Sequence, residues 1–213
     1  NRNRPFFLYM PLTVPHGQYR ARFLRGDPEA TPAGMLTKTP AAMPSRESVF
    51  QRLKERGIET RNAAATWIDD SLGALLAELR ELGVADNTVV IFTSDHQSRG
   101  KYTCYEGCRV PFLIRWPGRV PPGSRIDALC ANIDIAPTLV DIAGHDRPPD
   151  REVDGRSMLP VLVNGNAPPG WREDLLLECS NIRAVVTPKW KYIANRPPEE
   201  ARTRMQAEAE RKK

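Results

Sequence analysis

Residues 88–111, TVVIFTSDHQSRGKYTCYEGCRVP, decide how the rest of the chain is read. The first six, Thr88 to Thr93, are β-branched or aromatic without exception, the pattern of a strand buried on both faces of a parallel sheet. The character then changes at once. Ser94, Asp95, His96, Gln97 and Ser98 place a carboxylate and an imidazole side by side where the apolar run ends, and in open α/β sheets ligands bind just outside the carboxyl ends of strands. One hard oxygen and one borderline nitrogen suit a divalent cation that takes further oxygen ligands from elsewhere. On residue types alone the commoner reading is an Asx turn beside an exposed histidine. Lys101 shifts that balance, because a flexible point charge next to a bound metal is what a tetrahedral oxyanion requires. Gly100 and Gly107 let the backbone approach such a ligand.

Working outward, residues 6–10 (FFLYM) form a second short apolar run after Pro5, again the pattern of a central strand. Pro11 and Pro15 hold the following segment extended, and His16 is expected at the mouth of the same sheet edge. Residues 17–58 are rich in proline, glycine, threonine and arginine and read as a long surface excursion with one helix from residue 45 to 56, Ser45 as its N-cap. The clearest helix spans residues 61–82, with Ile68, Leu72, Leu75, Leu79 and Leu82 at helical spacing and Leu76 widening the stripe. Gly83 stops it, and Asp69 and Asp70 are expected on its solvated face or cap. Together with the strand at 88 it would make half of a parallel crossover unit.

Val110 to Trp116 reads as a further strand ended by Pro117-Gly118. Asp134 is expected to cap a helix over residues 135–143, closed by Gly144. After a Pro/Gly-rich break at residues 167–170 the texture changes to short strands at 174–178, 183–187 and 190–193, an antiparallel meander. Pro198, early acids and late bases predict a terminal helix. The expected architecture is therefore α/β: a mostly parallel sheet flanked by helices over residues 1–165, followed by a small antiparallel subdomain over 171–213.

Composition narrows the function classes. The 213 residues are 40% hydrophobic and 27% charged, ordinary for a globular protein. A net charge of +5 is mild help toward anions, but the basic residues are scattered and show no nucleic-acid platform or zinc-finger spacing. Cys104, Cys108, Cys130 and Cys179 make no metal-binding or disulfide framework. No apolar run reaches ~18 residues, so no helical membrane span is expected.

The central stretch resembles the signature of the sulfatase family within the alkaline phosphatase superfamily: FTSD, an N or H, a lysine, YEGG, RVP, then a strand ending in WPG. This chain carries FTSDHQ, Gly100-Lys101, Tyr105-Glu106-Gly107-Cys108-Arg109-Val110-Pro111 and Arg115-Trp116-Pro117-Gly118. It departs at Gln97 and Cys108, where glycine is usual, and by one residue before Arg109. The FFLY run with Pro15-His16, DIAPTLVDIAG at 134–144, VDGRSMLP at 153–160 and RAVVTPKWKYI at 183–193 resemble further family segments.

The resemblance implies an incomplete alkaline-phosphatase-like fold and hydrolysis of sulfate esters on a small molecule or glycan. It implies Asp95 and His96 as ligands of a divalent metal, most often calcium, with manganese or zinc as alternatives. It implies Lys101 as a sulfate-binding residue and His16 as a group at the sulfate or leaving oxygen. A periplasmic or secreted location follows by the same route. The family's nucleophile is a formylglycine made from the cysteine of C-x-P-S-R; the nearest match here, Ala42-Met43-Pro44-Ser45-Arg46, has alanine at that position. The chain is therefore expected to be the C-terminal portion of such an enzyme and inactive by itself. A phosphonate or phosphate ester hydrolase of the same superfamily and a non-catalytic remnant that binds sulfated glycans are the alternative readings.

Overall fold

A computed structural model describes residues 4–14, 16, 22–31, 34–37, 40–97, 107–146 and 149–211. The chain forms two compact units, Asn1–Ala85 and Asp86–Lys213.

In the first unit a 3-10 turn at Phe23–Arg25 leads to a pair of two-residue strands, β1 (Ala30–Thr31) and β2 (Gly34–Met35), paired antiparallel. Helix α1 (Arg46–Glu55) starts where Ser45 accepts a hydrogen bond from the Ser48 amide at 3.2 Å, the N-cap its sequence predicts. Helix α2 (Ala63–Glu81) follows a 3-10 turn at Thr60–Asn62. Gly83, at φ 70°, ends it in the left-handed conformation that glycine adopts without Cβ strain. Leu24, Val49, Leu53 and Ala63 form the core here, with Phe23, Phe50 and Trp67 packed against them. Arg46 donates to the carbonyls of Phe23 and Asp27, both at 3.1 Å, and its guanidinium lies over the Trp67 ring. Residues 23–27 of the excursion are thus tied to the two helices. Asp70 is not on a solvated face: it is buried and takes two hydrogen bonds from Arg52, at 2.9 and 2.5 Å. A carboxylate taken out of water needs such a partner.

Residues 6–10 correct the expected central strand. They belong to no strand, and Phe7 and Tyr9 are 75% and 77% exposed. A strand exists only where a neighbour accepts its backbone hydrogen bonds, and none of the described residues pairs with this run.

In the second unit β3 (Val90–Thr93) pairs antiparallel with β4 (Phe112–Arg115), Thr93 opposite Phe112 and Val90 opposite Arg115. The expected parallel sheet is therefore absent among the described residues, and every residue of β3 is half-buried. Helix α3 (Ile135–Ile142) and α4 (Leu159–Asn164) follow, then β5 (Leu175–Cys179), β6 (Ile182–Val186) and β7 (Lys191–Asn195) in an antiparallel sheet of that order. Helix α5 (Glu199–Arg211) buries none of its residues. The meander and the terminal helix stand where sequence periodicity and proline placement put them.

Asp134 organises this unit. Its side chain is fully buried and does not cap α3. One carboxylate oxygen accepts from the Ala131 amide at 2.7 Å and the other from the Arg156 amide at 2.8 Å, while Arg172 clasps both. The Thr138 hydroxyl donates to the Asp134 carbonyl at 2.5 Å and accepts from the Met158 amide at 2.8 Å. Met158, Val161 and Leu162 are buried beside this network. Gly155 is required by close approach, since a Cβ there would lie 2.0 Å from the Ile133 carbonyl oxygen.

Candidate functional site

The loop leaving β3 carries Asp95 and His96, and the chain returns through Gly107, Cys108 and Arg109 into β4. Two hydrogen bonds close the neck of this loop: the Gln97 amide to the Gly107 carbonyl at 3.3 Å, and the Gln97 side-chain amide to the Arg109 carbonyl. Gln97, which stands in a glycine position of the signature, therefore has a task of its own here. The Ser94 hydroxyl donates to the His96 carbonyl at 3.3 Å, and Asn132 donates to the Ser94 carbonyl at 3.5 Å. Asn132 lies two residues before Asp134, so the buried network reaches the loop through that short segment.

The chemistry of the pair follows from one contact. His96 Nδ1 lies 2.7 Å from the Gln97 carbonyl oxygen. A carbonyl only accepts, so Nδ1 carries a proton, and the neutral form of the ring with that tautomer presents a lone pair at Nε2. That Nε2 is 3.4 Å from Asp95 Oδ2. Two electron-pair donors that face each other call for a cation between them, either a proton on the ring or a metal ion. Ligand atoms at right angles on a divalent cation, with bonds of about 2.1 and 2.4 Å, lie roughly 3.2 Å apart, so the spacing fits. Asp95 is 79% exposed and His96 24% exposed, which leaves the carboxylate open to the cation. Among the described residues no third histidine, cysteine or carboxylate completes the set.

His16 is exposed and closes a small turn, its amide donating to the Thr13 carbonyl at 3.1 Å. It belongs to the first unit, Asp95 and His96 to the second. Lys101 and Pro15 lie outside the described residues, as do Gly100, Cys104, Tyr105 and Glu106.

Two residues near the loop were not singled out by sequence reasoning. Asn132 gave no signal beyond its place before the DIAPT segment. Lys191 reaches across from β7 so that its ammonium donates to the Cys108 thiol at 3.4 Å; the alternation of β7, which turns Lys191 to the side opposite Tyr192, could have pointed to it. Cys108, Cys130 and Cys179 are in the thiol form, not in disulfides. Burial pushes the Cys130 thiol up to about 11, with the nearby Asp134 carboxylate adding to the effect. At Asp134 burial acts to raise the carboxyl, but the Arg172 guanidinium and the amides of Arg156 and Ala131 outweigh it and hold the group below its ordinary value.

A family model described as Sulfatase matches residues 1–145. The chain is 31% identical over 209 residues to the ulvan-active sulfatase of Formosa agariphila, covering 92% of this chain and 39% of that protein. It is 33% identical over 181 residues to N-acetylgalactosamine-6-sulfatase of Homo sapiens, covering 77% and 30%. To the extracellular sulfatase SULF-1 homolog of Drosophila melanogaster it is 29% identical over 235 aligned positions, covering 98% and 20%. The chain thus spans between a fifth and two fifths of the length of these relatives. Among solved structures, Ps i-CgsB in complex with k-i-k-neocarrahexaose superposes with a TM-score of 0.59 at 23% identity, over 76% of this chain and 40% of that one. At that identity the likeness speaks for the fold alone.

Proposed function

Since this chain belongs to the sulfatase family, we propose that it supplies the metal-binding loop and part of the sulfate pocket of a sulfuric ester hydrolase. The observation that carries the reading is the pairing of Asp95 Oδ2 with Nε2 of His96 at 3.4 Å, at the exit of an apolar strand. A divalent cation bound there supplies positive charge against the sulfate oxygens. Calcium suits the carboxylate, and the imidazole nitrogen equally admits manganese or zinc. The Gln97 carbonyl accepts from His96 Nδ1, which selects the tautomer, and the hydrogen bonds of Gln97 join it to Gly107 and Arg109. Lys101 pairs its ammonium with a sulfate oxygen, and His16 gives a proton to the leaving oxygen as a general acid.

Residues 1–165 constitute the catalytic α/β portion in this reading and 171–213 an appended subdomain. The substrate is a sulfate ester on a small molecule or glycan, and the setting is extracytoplasmic. The sequence contains no C-x-P-S-R, so the 213-residue chain does not turn over sulfate esters by the formylglycine route. Isothermal titration of the chain with calcium, manganese and zinc tests the reading. Binding of one equivalent of a divalent cation, lost in Asp95→Ala and in His96→Ala, supports it; equal affinity in both variants sinks it. Hydrolysis of an aryl sulfate by the chain, abolished in Asp95→Ala, would overturn the inactivity.

A further inference from the structure

The β5–β7 sheet has two unlike faces. Register sets Leu176, Val185 and Tyr192 in one row, and Glu178, Arg183 and Ala194 in another on the same side. Trp190 precedes Tyr192 by two residues, and Arg196, whose amide continues the ladder to the Asn181 carbonyl at 2.9 Å, follows Ala194 by two. Alternation along a strand therefore brings Trp190, Tyr192, Ala194 and Arg196 to one face. The opposite face buries Ala184 and turns Lys191 to Cys108. The outer face stays open: Trp190 is 78% exposed, Tyr192 70% and Leu176 63%.

We propose that this outer face is a binding platform for a linear sulfated polysaccharide, separate from the Asp95–His96 site. Two flat rings two residues apart, Trp190 at the end of the turn with its carbonyl accepting from the Thr187 amide at 2.8 Å and Tyr192 within β7, repeat at about 7 Å, and their electron-rich faces suit the C–H faces of successive pyranose rings. Arg196 stands about 13 Å beyond Tyr192 along the same strand, where a sulfate on the bound chain meets a guanidinium. Lys189 flanks Trp190 at the turn, and Arg183 adds a second guanidinium, ion-paired with Glu178. Glu178 and Asp174 are the acids on this side, so cations are in the majority. The turn bearing Trp190 also edges an open cleft of about 530 Å³ whose lining is balanced in charge, Arg125 and Arg172 against Asp127 and Glu173 beside Trp171 and Pro188, so the excess of cations belongs to the sheet face alone.

Size argues for a chain-like ligand over a folded partner. Three strands place the outer two about 10 Å apart, and Trp190 to Arg196 spans about 20 Å. That strip of roughly 200 Å² is far below the ~800 Å² per partner of a stable protein interface, but it matches the footprint of a narrow polymer. The choice of sulfate as the anion rests on the sulfatase reading; the platform itself does not.

The test is titration of the 213-residue chain with heparin, followed by tryptophan fluorescence, alongside neutral dextran and a single-stranded oligo-dT. Heparin binding is expected to weaken at least tenfold in the Trp190→Ala/Tyr192→Ala double variant and to persist in Trp190→Phe/Tyr192→Phe. Arg196→Ala should elute from a heparin column at lower salt. Metal binding at Asp95 should be unchanged in all of these, and Asp95→Ala should leave heparin affinity unchanged, so this platform and the metal-site reading fail separately. Unaltered heparin affinity in the double alanine variant overturns the proposal. So does tighter binding of oligo-dT than heparin through the same residues, or a dimer that the double variant abolishes while heparin binding stays intact.

Discussion

Arg172 clasps Asp134 through both carboxylate oxygens, at 2.5 and 2.7 Å, across 38 positions of sequence and with the carboxylate wholly out of solvent. The pair ties the start of α3 to the segment before β5. Removing one partner strands a buried charge, so Arg172→Ala is expected to cost about 3–5 kcal/mol of stability. Arg172→Lys keeps the charge but loses the two-pronged geometry and should fall between that variant and the parent. Urea unfolding midpoints at neutral pH check both.

The same pair sets a response to acid. Asp134 is held below the ordinary carboxylate value of about 3.9, so at low pH the unfolded chain takes up its proton more readily than the folded one. The stabilisation is complete above the unfolded value and is lost as pH falls through the folded value. Urea midpoints measured from pH 6 down to pH 2 should decline steeply in the parent. The decline contributed by this group should be smaller in Arg172→Ala, because loss of the guanidinium moves the folded value back up and narrows its gap from the unfolded one.

Cys130 behaves in the opposite sense. Its thiol is raised to about 11, so its stabilising effect is present below the unfolded value and is lost as pH rises toward the folded one. At pH 8 about one molecule in a thousand carries the thiolate there. Iodoacetamide at that pH is expected to label Cys130 slowly in the folded chain and rapidly in guanidinium, as read by peptide mass mapping.

Two glycines should respond in opposite directions to the same methyl group. Gly155→Ala drives a Cβ into the Ile133 carbonyl, backbone that cannot yield cheaply, and should destabilise by about 1–3 kcal/mol. Gly73 sits exposed inside α2, and a methyl group added there would meet nothing within 4 Å. Gly73→Ala should stabilise by about 0.5–1 kcal/mol. Thermal unfolding of the two variants side by side distinguishes them.

What the sequence determined by itself is local. A 3.6-residue stripe ended by a glycine is enough for α2, and alternating short strands with turn residues are enough for β5–β7, because those conformations depend on neighbours a few positions away. The adjacency of Asp95 and His96 after an apolar strand was legible for the same reason. Tertiary structure decided everything that needed a distant partner. Residues 88–93 read as a strand, but whether its neighbour runs parallel or antiparallel depends on which segment lies beside it, and here that is β4. Residues 6–10 read equally well as a strand and are left exposed, with no strand partner among the described residues. Asp70 and Asp134 read as solvated or capping acids, and only the arrival of Arg52 and Arg172 allowed them to be buried. The tautomer that makes His96 a candidate ligand likewise came from the Gln97 carbonyl, a matter of loop geometry that residue identity does not encode. A period fixes which residues share a face; what covers that face, or answers a buried charge, is settled only when remote parts of the chain meet.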